Sequence, residues 1–161
     1  FTIQDANTLY GVQEWGNGYF GINSKGHLEV RPTQDENLTA DMYEIVQHMR
    51  KKGIKTPLTL RFPQILADRV TEVNEAFRKA IREFDYAGTY QGVYPVKTNQ
   101  TKEVVEEAVR AGNKYHYGLE AGSKPELMIA LSMDLHPDAL VTCNGYKDEN
   151  FLRMALLALK G

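Results

Sequence analysis

The sequence predicts an α/β protein whose C-terminal part forms a parallel sheet. Three short apolar segments alternate with three amphipathic helical segments from about residue 90 to the end of the chain. Buried-type strands separated by helices are typical of right-handed βαβ units. Their regular spacing is compatible with either a (β/α)8 barrel or a doubly wound sheet.

The N-terminal part predicts a smaller, strand-bearing segment. In residues 15–31, apolar residues with a period of two flank a turn signal at 23–26, which predicts an antiparallel hairpin. An apolar stripe predicts a short helix at 41–52, and a further short strand is expected at 58–62. We place a domain boundary after residue 56, so that the hairpin and the short helix share the first domain.

The predicted second domain, residues 57–161, begins with the short strand at 58–62, and a long helix follows it. Its apolar residues follow a helical stripe from Leu66 to Phe84, and Pro63 suits the first turn. Every later element continues the strand and helix alternation. In order, these are a strand at 90–96, a helix at 101–111, a strand at 115–119, a helix at 125–133, a strand at 139–143 and a last helix capped by Asp148.

Composition excludes several classes of protein. The chain has 161 residues, 42% of them apolar, and its 19 Lys and Arg residues nearly balance 21 Asp and Glu residues. This balance indicates no nucleic-acid partner and no anionic membrane surface, and no apolar run approaches the roughly 20 residues of a membrane span. With one cysteine and no signal peptide in the sequence, we expect a cytoplasmic protein.

Polar segments directly follow all three predicted strands of the parallel sheet. They are residues 97–100, 120–123 and 144–147. Because ligands bind at the carboxyl ends of parallel strands in both candidate architectures, we expect the functional site at this edge. The convergence of the three segments is more informative than any one residue in them.

Two residues of these segments have the chemistry of a carbonyl-binding site. Lys97 ends the first strand, where desolvation would make its amine nucleophilic, although the pattern is more typical of a solvent-facing lysine that only ends a strand. Glu120 ends the second strand and could balance a cationic nitrogen, or serve as an ordinary carboxylate near a helix N-terminus. The pattern alone favours the structural interpretation of both residues.

The remaining polar residues of this edge carry weaker signals. Asn144 and Lys147 follow the third strand, and Lys147 is either near an anion or a surface lysine. We expect Cys143 to be a small buried residue at the strand end. The four histidines have no ligand spacing, so the sequence predicts no metal site, and it contains no glycine-rich phosphate loop.

Five ordered segments of the chain resemble the biosynthetic arginine decarboxylase family. The segment Tyr90–Gln100 (YQGVYPVKTNQ) is similar to the cofactor-lysine motif of that family. Gly118–Leu127 and Cys143–Asp148 resemble two further signatures in the same order and spacing, and Arg61–Leu66 and Glu14–Phe20 are also similar. A single Tyr-x-Val-Lys motif would be a weak signal, whereas five ordered segments over nearly the whole chain are a strong one.

The resemblance implies a fold and an activity. The family has the alanine-racemase-like fold type III, so the chain would be the start of a (β/α)8 TIM-type barrel, about three βα units, after the small N-terminal segment. The implied reaction converts L-arginine to agmatine and CO2 for polyamine biosynthesis, with pyridoxal 5'-phosphate and Mg²⁺ as cofactors. Lys97 would hold pyridoxal phosphate as a Schiff base, with Glu120 and Asn144 also binding the cofactor.

The resemblance also implies that the chain is the N-terminal part of a longer enzyme. Three βα units cannot close an eight-stranded barrel. By resemblance, the groups that bind the phosphate, the pyridine nitrogen and the substrate lie beyond Gly161, so we predict no decarboxylase activity for the chain alone. The full-length chain is expected to form a homo-oligomer, either a dimer or a tetramer.

Two alternatives remain open at this point. One is a pyridoxal-phosphate decarboxylase of another basic amino acid, such as ornithine, lysine or diaminopimelate, although residues 119–123 match the arginine branch better. The other is a non-catalytic fragment that binds pyridoxal phosphate or pairs with an intact enzyme.

Overall fold

The computed structural model describes residues 1–159, and its contacts group the chain into two units. The first unit is Phe1–Ile65 and the second is Leu66–Gly161. The domain boundary predicted from the sequence, after residue 56, lies inside the first unit. The last two residues of the predicted second domain lie outside the described part of the chain.

The first unit contains a three-stranded antiparallel sheet. Strand β1 (Phe20–Ile22) pairs with β2 (Leu28–Val30), and β2 pairs with β3 (Ala40–Asp41). Phe20 lies opposite Val30, so the period-two pattern places apolar side chains across the hairpin. The predicted hairpin is confirmed, and β3 is an addition that its length of 2 residues hid from the sequence pattern.

Asp41 connects this sheet to helix α3 (Met42–Lys51). Its carboxylate accepts hydrogen bonds from the N–H of Glu44 at 3.0 Å and from Nδ2 of Asn23 at 2.9 Å, and it lies 2.8 Å from Nδ1 of His27. Burial raises the pKa of the Asp41 carboxyl, but these hydrogen bonds outweigh it and lower the pKa to about 2. The predicted helix is confirmed, with Asp41 as its N-cap.

Two helices near the N-terminus were not predicted. Helix α1 (Ile3–Tyr10) begins at a capping box made by Thr2 and Asp5, and it ends at Gly11, whose φ is +56°. Helix α2 (Val12–Gly16) follows directly. Helix α1 buries none of its residues, so its sequence lacks the apolar stripe that reveals a helix packed on a core.

The strand predicted at 58–62 is wrong. The segment is neither strand nor helix, and it has no pairing partner within residues 1–159. Leu58, Leu60 and Phe62 are half-buried whereas the residues between them are exposed, which explains the alternating pattern. Apolar residues at every second position indicate that one side of a segment is buried. A strand also needs a neighbouring strand for its backbone hydrogen bonds.

The second unit contains the parallel sheet that the sequence predicts. Its strands are β4 (Val93–Pro95), β5 (Gly118–Ala121) and β6 (Val141–Cys143), and β5 lies in the centre. Both pairings are parallel. The α/β class is confirmed, and three consecutive parallel strands in chain order are consistent with the start of a (β/α)8 barrel.

Four helices alternate with these strands in the predicted order. They are α4 (Pro63–Glu83), α5 (Lys102–Gly112), α6 (Lys124–Leu131) and α7 (Glu149–Ala158). Pro63 is the first residue of α4, where its missing N–H costs no helical hydrogen bond. Within residues 1–159, no helix combines the length and the apolar character needed to cross a membrane.

Two clusters of buried side chains hold the sheet of the second unit against its helices. The central strand contributes to both, through Leu119 and Ala121, which are fully buried. Full burial of a side chain as large as that of Leu119 stabilises the fold by roughly 1.5–3 kcal/mol. β5 is therefore a firmly held strand, and it carries Glu120 between these two residues. The other buried members are Val96, Val105, Val109 and Ala130 in the first cluster and Leu127 and Phe151 in the second.

The structure corrects the expectation for Cys143. Its side chain is exposed rather than buried. Cys143 ends β6, which is an outer strand of the sheet and pairs only with β5 among the described residues. An outer strand is covered on one side only, so a small apolar residue at its end stays in contact with solvent.

Candidate functional site

Lys97 lies just past the carboxyl end of β4. The strand ends at Pro95, and a single 3-10 turn, Val96–Thr98, carries the lysine. Val96 is fully buried and Oγ1 of Thr98 donates to the carbonyl of Pro95 at 2.8 Å, so the turn is fixed on both sides of Lys97. The lysine side chain itself is 54% exposed, as the solvent-facing interpretation of the sequence pattern expects, and its amine is open to a ligand.

Glu120 is the third residue of the central strand, so it is positioned by the sheet rather than by a loop. Its neighbours Leu119 and Ala121 are fully buried, and side chains alternate along a strand, so Glu120 projects from the opposite face. Its side chain is only 13% exposed. Nζ of Lys97 donates a hydrogen bond to Oε1 of Glu120 at 3.0 Å.

Asn144 completes this group from the end of the third strand. Its backbone N–H donates to the carbonyl of Ala121 at 3.0 Å, which extends the β5–β6 pairing by one residue. Its side-chain Nδ2 donates to Oε1 of Glu120 at 3.1 Å, and its Oδ1 accepts the N–H of Gly145 at 2.7 Å. Both ends of the Asn144 amide are therefore used, and the side chain has a fixed orientation.

The carboxylate of Glu120 is the electrostatic centre of the group. The hydrogen bond from Lys97, and then the one from Asn144, lower the pKa of Glu120 below its ordinary value. The carboxyl therefore stays ionised at neutral pH and balances a positive charge on the lysine nitrogen. A primary amine that is exposed, fixed at its base and paired with a carboxylate is suited to forming an imine with a carbonyl compound.

The loop after β5 is held by its own hydrogen bonds. Oγ of Ser123 accepts the N–H of Glu126 and caps α6. The carboxylate of Glu126 does not return to the N-cap, as a full capping box would require, and instead accepts the N–H of Gly122 at 2.7 Å. These contacts hold the chain that follows Glu120, and none of them uses a side chain of Lys97, Glu120 or Asn144, which together form the Lys97 group.

Lys147 does not join the three other residues. Its Nζ donates to the carbonyl of Asn144 and, at 2.8 Å, to the carbonyl of Gly145, and it lies 4.9 Å from the centre of the Phe151 ring. The lysine therefore folds back on its own loop, and it supports the segment that carries Asn144. The sequence analysis left its role open, because a pattern of residue types does not show in which direction a long side chain turns.

An ion pair between the second and third loops was not predicted. Nζ of Lys124 lies 2.5 Å from Oδ2 of Asp148. The other carboxylate oxygen, Oδ1, accepts the N–H of Phe151 and caps α7. The capping role could be read from the sequence because it is local. The partner on the neighbouring loop could not, since it depends on how the two strands are placed in the sheet.

A further group of metal-ligating residues lies at the opposite, amino-terminal edge of the sheet. His116 precedes β5, while His136 and Asp138 precede β6, and ligand atoms of the three lie within 4.8 Å of one another. Two histidines and one carboxylate suit a transition metal better than Mg²⁺, which prefers oxygen ligands. The sequence predicts no metal site among the histidines, because the members of this group come from separate connections and have no ligand spacing along the chain.

Comparison with known proteins shows the family to which the chain belongs. The pyridoxal-binding domain of pyridoxal-dependent decarboxylases matches residues 70–159. Over 158 residues, the chain is 51% identical to the biosynthetic arginine decarboxylase of Gloeobacter violaceus and 48% identical to that of Thermosynechococcus vestitus. Each alignment covers 98% of this chain. Among solved structures, the biosynthetic arginine decarboxylase of Campylobacter jejuni matches 94% of this chain with a TM-score of 0.84 and 37% identity.

These relatives are much longer than the chain. The alignments cover 24% of the Gloeobacter protein, 25% of the Thermosynechococcus protein and 24% of the Campylobacter chain. The chain therefore spans about a quarter of the length of the curated relatives that it matches.

Proposed function

Because the chain belongs to the pyridoxal-dependent decarboxylases and carries their pyridoxal-binding domain at residues 70–159, we propose that it acts as the N-terminal part of an arginine decarboxylase. The reaction converts L-arginine to agmatine and CO2 and supplies polyamine biosynthesis. The observation that carries this proposal is the convergence of Lys97, Glu120 and Asn144 from three consecutive parallel strands. The identity to relatives named biosynthetic arginine decarboxylase supports arginine as the substrate.

The residues at the carboxyl edge fit pyridoxal phosphate. When bound, this cofactor supplies an aldehyde that captures amines and a ring that accepts the electron pair left by departing CO2. Lys97 offers the required primary amine, 54% exposed on a fixed turn. Glu120 is ionised and 3.0 Å away, so it can stabilise a positively charged nitrogen at Nζ.

Each of the three residues has a separate role in the proposal. Lys97 would hold the cofactor through Nζ. Glu120 holds Nζ of Lys97 at the edge of the sheet and balances a positive charge on that nitrogen. Asn144 orients Glu120 by donating to Oε1, the same oxygen that accepts from Lys97.

The described residues do not fit Mg²⁺. Within residues 1–159, the group with metal-ligating geometry contains two histidines and one carboxylate, at the edge away from Lys97. Mg²⁺ binds oxygen ligands in octahedral geometry and rarely takes imidazole nitrogen. No step of the reaction on this chain is therefore assigned to Mg²⁺.

We also propose that the active enzyme is a homo-oligomer, a dimer or tetramer, of a longer cytoplasmic chain. Sites in (β/α)8 barrels use residues from the ends of several of the eight strands, and this chain supplies three such ends. Exposed large apolar side chains on the second unit, such as Phe84, Leu156 and Leu157, support burial by further protein. The single cysteine is in keeping with a reducing compartment.

The proposed function is tested by assaying the full-length protein that carries this chain. With pyridoxal phosphate, we expect it to release CO2 and form agmatine from L-arginine in repeated turnovers. L-Ornithine, L-lysine and diaminopimelate are the comparison substrates, and the 161-residue chain is assayed in parallel.

The outcomes separate the candidate functions. Turnover of one of the comparison substrates in preference to arginine would reassign the specificity. Pyridoxal-phosphate binding without turnover of any substrate would favour the non-catalytic alternative. Repeated turnover by the 161-residue chain alone would contradict the proposal that the rest of the enzyme completes the site.

A further inference from the structure

Three side chains meet at the amino-terminal edge of the parallel sheet, away from Lys97. Nδ1 of His116 lies 3.7 Å from Oδ2 of Asp138, and Nδ1 of His136 lies 3.8 Å from the same oxygen. The two imidazole rings stack face to face, with centroids 3.8 Å apart and an angle of 10° between their planes. The two ring nitrogens therefore approach one carboxylate oxygen from the same side of the molecule.

The backbone holds His116 in an unusual conformation. Its φ is +54°, in the left-handed region, which is uncommon for residues other than glycine and in which asparagine, aspartate and histidine are enriched. The N–H of His116 donates to the carbonyl of Asn113 at 3.0 Å, which closes the turn before β5. The position of the imidazole ring is therefore set by the turn rather than by a freely moving loop.

His136 presents an unprotonated nitrogen to the same space. The backbone N–H of Asp138 donates to Nδ1 of His136 at 3.1 Å, so this nitrogen carries a lone pair and not a hydrogen. A metal ion needs the imidazole in this state. An ion bound there would replace the amide hydrogen bond, and the freed N–H would face solvent because Asp138 is exposed.

We propose that His116, His136 and Asp138 bind a divalent transition-metal ion of the Zn²⁺ class, with water as the fourth ligand. At Zn–N and Zn–O lengths of about 2.0–2.2 Å, tetrahedral geometry places neighbouring ligand atoms about 3.4 Å apart. The two observed nitrogen–oxygen separations, 3.7 and 3.8 Å, are close to this spacing. The stacked rings must also turn about their side-chain bonds, because the lone pair of each imidazole lies in the plane of its ring. The side chains are 41%, 31% and 70% exposed, so an ion can reach them from solvent.

The role of this ion would be structural. It would join the connection that precedes β5 to the connection that precedes β6, and both strands carry residues of the Lys97 group at their other ends. The ion itself lies at the opposite edge from the reacting atoms, where bound groups contribute to stability rather than to chemistry. Binding of Zn²⁺ therefore raises the melting temperature without acting on the substrate.

The test is a Zn²⁺ titration of the full-length protein, with the purification tag removed and bound metal stripped by a chelator. We expect wild type to bind one more Zn²⁺ per chain than the variants His116→Asn and His136→Gln, with an affinity loss of about 100-fold or more at this site. Asparagine tolerates the left-handed conformation of residue 116, so the first variant keeps the fold. Co²⁺ should give the visible bands of tetrahedral coordination in wild type only.

His48→Asn is the matched control, because it removes an exposed histidine from α3 in the other unit. It should keep both the extra Zn²⁺ and the Zn²⁺-dependent rise in melting temperature. The proposal is overturned if wild type and His116→Asn bind the same number of ions with equal affinity, or if His48→Asn loses the ion as well. Because the titration needs neither arginine nor pyridoxal phosphate, its result is independent of the proposed function.

Discussion

The carboxyl edge and the amino edge of the parallel sheet lie at opposite ends of the same strands, but their polar groups differ in geometry. At the carboxyl edge, Lys97 and Asn144 satisfy one oxygen of Glu120 with hydrogen bonds of 3.0 and 3.1 Å. At the amino edge, His116 and His136 lie 3.7 and 3.8 Å from Asp138, beyond direct hydrogen-bond distance. The first group is complete without an ion, whereas the second leaves space for one.

The strand β5 explains part of this difference. Glu120 belongs to the strand itself, between two fully buried residues, whereas His116 lies in the turn before it. A catalytic group gains from the rigid position, because small displacements from reacting atoms are costly. A structural ion can instead draw its ligands together when it binds. The amino edge is suited to such an ion, because its three side chains are not in direct hydrogen-bond contact.

The largest expected effect is on the carboxyl edge, from Lys97→Ala in the full-length protein. Removing the amine that we propose binds the cofactor should lower turnover by more than about 1000-fold and abolish the visible absorbance of bound pyridoxal phosphate. Lys97→Arg keeps a positive charge beside Glu120 without a nucleophilic amine, so it should be as inactive as the alanine variant. Absorbance spectroscopy and agmatine formation measure the two effects.

The control for this prediction is Lys102→Ala, which removes an exposed lysine that pairs with Glu106 on α5. This variant should keep both the absorbance and the activity. An unchanged spectrum in Lys97→Ala would remove Lys97 from the cofactor-binding role. An active Lys97→Arg would show that charge at this position is sufficient.

The next largest effect concerns stability and compares the two ends of β5. A Cβ on Gly118, at the amino end, would lie 1.9 Å from the backbone carbonyl oxygen of Leu140, which cannot move without breaking the sheet. A Cβ on Gly122, just past the carboxyl end, would lie 3.3 Å from the side-chain oxygen Oε2 of Glu126, which can shift. We expect Gly118→Ala to lower the free energy of unfolding by about 2–4 kcal/mol and Gly122→Ala by less than about 1 kcal/mol.

Urea denaturation of the two full-length variants measures this difference. Equal midpoints for Gly118→Ala and Gly122→Ala would contradict the close approach of β5 and the chain before β6. The result also bears on the metal proposal, because Leu140 follows the segment that carries His136 and Asp138. A widened β5–β6 pairing in Gly118→Ala should therefore weaken Zn²⁺ binding as well.

The order of elements in the second unit could be predicted because it depends on local patterns. Apolar runs, helical stripes and capping residues such as Ser123 and Asp148 are visible in a short window of sequence. The segment 58–62, which was wrongly predicted as a strand, shows the limit of such patterns. Its burial alternates as the pattern indicates, but it pairs with no strand within residues 1–159. Helix α1 was missed for the converse reason, because it forms from its cap and buries no side chain.

The site could be predicted only as far as topology determines it. Polar residues that follow parallel strands must meet at one edge, so Lys97, Glu120 and Asn144 could be grouped before their hydrogen bonds were known. The directions of long side chains could not be predicted, as Lys147 shows by folding back on its own loop. The histidine group depends on where two connections end relative to each other, which no spacing of residues along the chain reveals.

The smallest expected effect is a change in the titration of Glu120 in the cofactor-free protein. Its folded-state pKa lies below 4.5, its ordinary value, so the carboxylate stabilises the fold above that pH and this contribution is lost as the pH falls through the lowered pKa. Lys97 lowers the pKa of Glu120 most and Asn144 comes second. We therefore expect the midpoint to rise in Asn144→Ala and to rise further in Lys97→Ala.

A ¹³C NMR titration of labelled glutamate carboxyl groups measures these midpoints. Asn99→Ala is the control. The side chain of Asn99 accepts a hydrogen bond from the backbone N–H of Thr101 and not from the Lys97 group. If Asn144→Ala leaves the midpoint unchanged, Asn144 does not orient the carboxylate, and its role in cofactor binding loses its physical basis. If the midpoint rises in Asn144→Ala and more in Lys97→Ala, the carboxyl edge is a single electrostatic unit centred on one oxygen. His116→Asn, at the other edge, should leave the Glu120 midpoint where it is.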